Sequence, residues 1–161
     1  MKSILMSIQA RNNRNIEAGI KRSELRKRIP KCDYPIKVYT YESGFDGRHK
    51  VVNEWICRTS TEWRICMGIP AHLPKRACVS VEEIREYSGK NYDNITEMEI
   101  SDLKIYDEPK ELDEFKKAGF MTEEEWLYAL YPNTHCNYEA WAKKFDITRP
   151  PQSWCYVEAL K

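Results

Sequence analysis

The sequence predicts an α+β fold: about six strands, mainly antiparallel and closing as a small barrel, with helices inserted between them. Two observations carry this. Short runs of alternating β-branched and aromatic residues recur along the chain, clearest in "PIKVYTYES" at 35–43. Helix signals fall between those runs, each a short stretch bounded by Gly, Pro, Ser or Thr. A length of 161 residues suits a single domain over 1–161 with a real core. A 42% hydrophobic content, with five Trp and ten Tyr, excludes a disordered chain.

Taken in order, Ser3–Ile8 sets Ile4, Met6 and Ile8 against Leu5 and Ser7 and reads as the first strand. Arg11–Ala18 reads as a short helix ended by Gly19, which tolerates a left-handed cap; three Asn make it weak by propensity. Lys21–Ile29 reads as a second strand stopped by Pro30. In Pro35–Ser43, Ile36, Val38 and Thr40 face one way and Tyr39 and Tyr41 the other, with Gly44–Lys50 as the next turn. Val51–Ile65 is long enough for a bent strand or a hairpin, and Gly68–Lys75 reads as loop. Ser80 with Glu83 forms a capping box for a helix to Tyr87. Glu99–Asp107 is another strand. Lys110–Ala118, Thr122–Leu130 and Asn137–Phe145 read as helices, which makes 110–150 a helical insertion before a last strand at Ser153–Val157.

Ile4–Ile8 is too short for the apolar region of a signal peptide, and no run reaches the length of a membrane span. The six Cys then read as reduced thiols of a cytoplasmic protein. No CxxC pair occurs, and His49, His72 and His135 have no metalloenzyme spacing. His135 with Cys136 and distant thiols is the one metal arrangement left open. There is no G-x-S-x-G elbow. Net charge is +1, but residues 1–50 hold 12 basic and 5 acidic side chains, whereas 81–161 hold 10 and 18. Either the halves neutralise each other on folding, or a positive surface meets an anion such as RNA or a nucleotide.

The densest basic run, "AGIKRSELRKRIPK" at 18–31, contains a single acid, Glu24. On a strand, Arg22, Glu24, Arg26 and Arg28 share a face. Glu24 interrupts the like charges and can fix a guanidinium for a phosphate; the plain alternative is a solvated strand face with one ordinary ion pair. If Val52, Glu54 and Ile56 face the interior, Glu54 is a buried acid that needs a partner, and Lys21 or Arg26 could supply one. That would make a Lys–Glu–Glu–Arg cluster suited to acid–base work. Tyr39, Tyr41, Trp55 and Trp154 lie on strands, where they could stack bases or fill the core. Gln152 and Ser153, after two prolines, could hydrogen-bond a ligand at the mouth or simply open the last strand.

"GIKRSELR" resembles the G-x-K-x-x-E-x-R segment of ASCH domains, a branch of the PUA-like superfamily, at Gly19, Lys21, Glu24 and Arg26. "ILMSI" and "KVYTYES" resemble that family's first and third strands, and "VVNEW" its "VVGE" strand with Asn53 in place of Gly. "ISDLKIYDEPKEL" and "RPPQSWCYVE" look like the subgroup found in bacteria and phages. The resemblance implies a PUA-like barrel whose cleft is lined by residues 19–26, and RNA binding. Some members are hydrolases that deacylate modified cytidine or cleave RNA. Lys21 matches the deacylating branch's catalytic Lys, but Glu24 stands where that branch has a Thr nucleophile. Gln9 and Ala10 stand where the family often has Lys-Pro.

Three functions are therefore expected. The first is an RNA- or nucleotide-binding domain, with Arg22, Arg26, Arg28, Tyr41, Gln152 and Ser153 on the ligand. The second is a ribonuclease or amidohydrolase using Lys21, Glu24 and Glu54, with no cofactor unless a divalent metal joins the two carboxylates. The third is a phage-type module whose acidic residues 97–125 meet a host protein.

Overall fold

The computed structural model describes residues 1–27, 29–66, 69–70, 82, 84, 94–120 and 154–160. The first strand, β1 (Ser3–Gln9), passes directly into helix α1 (Ala10–Glu17), which Gly19 ends at φ +76°. Next come β2 (Ser23–Arg26), β3 (Ile36–Ser43), β4 (Val51–Cys57), β5 (Ser60–Trp63) and the two-residue strands β6 (Ile65–Cys66) and β7 (Ile69–Pro70). β8 (Ile95–Glu99), β9 (Ser101–Lys110) and β10 (Trp154–Val157) complete the order.

Five strands form one sheet in the order β10-β1-β3-β4-β9; β2-β8-β5 form a second, and β6 and β7 a third pair. Among these pairings only β1 with β3 is parallel. Mainly antiparallel strands with few helices bear out the α+β reading, but the described ladders are open sheets and do not close hydrogen bond by hydrogen bond into a barrel.

The large sheet has a core on each face. On one face Ile4, Met6, Ile8, Val38, Trp55 and Cys57 pack with Ile16 of α1 and Met98 of β8, so the helix and the small sheet cover this side. On the other, Leu5, Tyr39, Tyr41, Val51 and Tyr106 pack with Phe115 and Ala118. The expected split of Ile36 and Val38 from Tyr39 and Tyr41 is met residue for residue. The small sheet has its own apolar side, Leu25, Trp63 and Ile95 with Ile84.

Several expectations change. The second strand is shorter, Ser23–Arg26 rather than Lys21–Ile29. The stretch 51–65, expected as a bent strand or a hairpin, divides into separate strands in different sheets: β4 stays in the large sheet, and β5 crosses to pair with β8 in the small one. Lys110–Ala118 is not a helix. β9 runs to Lys110, a single 3-10 turn occupies Leu112–Glu114, and Lys117 bridges to Val157. Helix propensity yields there because Phe115 and Ala118 are drawn onto the sheet face. Within the loop expected at Gly68–Lys75, Ile69–Pro70 instead form β7 against β6; the rest of that loop, most of the helix from Ser80, and the helices expected at 122–130 and 137–145 lie outside the described residues.

Candidate functional site at the edge of the small sheet

Lys21, Glu24 and Arg26 converge. Gly19 turns the chain back from α1, so Lys21 reaches the start of β2 with its amine 3.5 Å from Glu24 Oε1. Arg26 Nε lies 3.7 Å from the same oxygen. Arg26 Nη2 donates to the Ser7 carbonyl at 2.7 Å, tying β2 to the end of β1. Glu24 is 4% exposed, and its Oε2 has no hydrogen-bond partner among the described residues. A buried carboxylate oxygen without a donor is costly, and such groups tend to mark a water, a ligand or chemistry.

The chain leads from this cluster into one wall of a cleft of about 740 Å³, whose lining begins at Lys27 and includes none of the three. Lys27, Ile29 and Lys31 line it from the segment after β2, Ser60, Glu62 and Thr96 from the small sheet, and Trp154 and Tyr156 from β10. The register explains why. Arg26 stands opposite Thr96, and Thr96 opposite Glu62, so these three share one face of the small sheet. Trp154 and Tyr156 alternate with the buried Cys155 and Val157 and meet edge to face at 5.4 Å. The cleft combines cations, an aromatic wall and polar strand residues, the ingredients of a pocket for an anion bearing a flat ring.

Other expected site residues go elsewhere. Glu54 does not join Lys21 or Arg26. It stands opposite Tyr39 on the other face of the large sheet, bound to Lys37 Nζ at 2.9 Å and Tyr106 Oη at 2.9 Å. Burial pushes its pKa up, but the bonds from Lys37 and Tyr106 and the Lys37 charge outweigh this and hold it below the usual carboxylate range. Tyr41 is buried on that same face against His49, so it fills core and presents no ring to the cleft. Arg22 is exposed and precedes β2. Trp55 is wholly buried, donating Nε1 to Thr40 Oγ1 at 3.0 Å. Arg28, Gln152, Ser153, His135 and Cys136 lie outside the described residues. Among those described, no three His, Cys, Asp or Glu side chains cluster as a metal site.

Sequence reasoning missed several groups, among them Lys27, Lys31 and Tyr156 in the cleft lining. Glu62 and Thr96 line the cleft, and the alternation of "STEW" could have placed Glu62 opposite the buried Trp63. Glu97 is buried on the far side of the small sheet, accepting from Ser23 Oγ at 2.8 Å and Trp63 Nε1 at 2.9 Å. Cys32, Cys57 and Cys155 are free thiols. Burial pushes Cys57 and Cys155 up to about 12, which keeps them protonated and unreactive.

A mixed five-stranded sheet, a short second sheet across one face, and a basic segment entering between them define a small β-rich α+β domain. In particular, the chain has the ASCH fold. The ASCH protein of Zymomonas mobilis matches it with a TM-score of 0.56 and 16% identity, over 98% of this chain and 88% of that one. A single-residue variant of the same protein gives 0.57 and 15%, covering 98% and 91%. No protein-family model and no curated protein matches the sequence. No described helix is long and apolar enough to cross a membrane.

Proposed function

We propose that the protein binds RNA or a nucleotide in the cleft whose lining begins at Lys27. The observation that carries this is a 740 Å³ cleft edged by Lys27 and Lys31 and walled by Trp154 and Tyr156, reached by the chain directly after the Lys21–Glu24–Arg26 cluster, whose Arg26 is paired with the cleft residue Thr96. Arg26 serves the site as a strut, since its guanidinium already engages Glu24 and the Ser7 carbonyl. Phosphate contact is assigned to Lys27 and Lys31, which line the cleft itself. The fold shared with ASCH proteins supports the same reading.

Salt dependence tests it. Affinity for single-stranded RNA is expected to fall steeply with salt, and the log–log slope to flatten by about 0.7 for each of Lys27→Ala and Lys31→Ala. Absence of binding at low salt, or slopes unchanged in both variants, would refute the assignment.

A second reading is favoured by one atom, the unpartnered Oε2 of Glu24. In a hydrolase this oxygen would take a proton from the attacking water, while Lys21 steadies the oxyanion that forms. The expected outcome is that Glu24→Gln lowers cleavage of RNA or acylated nucleosides by about 100-fold or more while the variant still binds. An equal rate in wild type and Glu24→Gln removes this role.

A further inference from the structure

The cleft contains an acid, and this needs a reason. A carboxylate among groups that hold an anion weakens phosphate binding by like-charge repulsion unless it meets donors on the same ligand. Glu62 is the only acid lining the cleft among the described residues. Its position is fixed by β5, whose Trp63 is buried on the opposite face. Thr96 stands directly across from it on β8, and opposed residues on one face have Cβ atoms about 5 Å apart. The pair thus presents two acceptor oxygens and a hydroxyl side by side, a patch as wide as one base edge.

The bases differ in how they meet such a patch. Guanine offers two parallel N–H groups, N1 and N2, to a carboxylate, and its O6 can accept from a neighbouring hydroxyl. Adenine and cytosine each offer one amine beside a ring nitrogen whose lone pair would face the second carboxylate oxygen. Uracil sets one N–H between two carbonyls, which a carboxylate repels. RNA-binding proteins commonly read unpaired bases on this edge while an aromatic side chain holds the ring. Here Tyr156 and Trp154 line the same cleft as Glu62 and Thr96, and so do Lys27 and Lys31, two cations available to an attached phosphate.

Building on the nucleotide-binding reading, we propose that the cleft selects an unpaired guanine, with Glu62 accepting from N1 and N2 and Thr96 donating to O6. The test uses the full chain and labelled oligouridine hexamers that carry one central guanosine, inosine, adenosine or cytidine. Inosine differs from guanosine only in lacking the N2 amine. The guanosine hexamer is expected to bind about tenfold more tightly than the inosine one, the effect of one hydrogen bond to a charged acceptor. Glu62→Gln is expected to bring the two to the same affinity. Equal binding of both hexamers to the wild type overturns the guanine assignment and leaves RNA binding standing, as does a guanosine preference that survives in Glu62→Gln. Binding of none of the hexamers overturns both.

Discussion

Acidification from about pH 5 to about pH 2 is expected to remove about 3 kcal/mol of folding stability through Glu42 alone. This carboxylate is buried under α1 at the end of β3. Burial pushes its pKa up. Two bonds from the Arg48 guanidinium at 3.0 Å, one from Asn13 at 2.7 Å, one from the Arg48 backbone N–H, and the Arg48 charge more than reverse this, leaving it at about 2 against an ordinary 4.5. Because the folded form holds its proton less tightly, the unfolded chain binds more protons in this window. The contribution is complete above about pH 5 and disappears as pH falls through about 2. Urea midpoints of wild type and Glu42→Gln, taken across that range, check it. The variant should lose less on acidification by about 3 kcal/mol, and parallel curves would contradict the assignment. The network matters to the site because Asn13 also accepts from Asn53 at 2.8 Å, which anchors α1 to β4 and so sets where Gly19 and Lys21 begin.

Trp55→Ala is expected to destabilise the protein by about 3–5 kcal/mol. The side chain is fully buried between the large sheet and its covering layer, among Val38, Met98 and Cys57. Its removal leaves a large cavity and deprives Thr40 Oγ1 of its donor. Trp55→Phe separates the two losses: it keeps most of the volume, and its cost should be nearer the roughly 1–3 kcal/mol of a buried group left unpaired. Chemical denaturation measures both. A cost below about 1 kcal/mol for the alanine variant would mean that the indole is not packed among these side chains.

Much of this fold was legible because strand alternation has a strict period. Ile36, Val38, Tyr39 and Tyr41 could be assigned to opposite faces from spacing alone. So could the cap at Gly19 and the gathering of Lys21, Glu24 and Arg26, which are near in sequence. Glu54 was misplaced for a different reason. Alternation correctly separates it from Trp55, but it does not say which face looks toward β2, and irregular registers between Thr40 and Tyr41 and between Val51 and Asn53 blur any local guess. Its true partners, Lys37 and Tyr106, lie 17 and 52 positions away in the chain. Glu62 and Thr96 escaped notice because they become neighbours only when β5 leaves the large sheet for β8, a crossing that hairpin reasoning does not foresee.

Ser3 pairs with Val157, so strands from opposite ends of the fold lie side by side. A ribosome delivers β1 long before β10 exists, and until then β1 has an open edge where β10 will dock. The aromatic wall of the cleft arrives on that late strand. A translation product that stops short of residue 154 therefore carries the lysines without the rings.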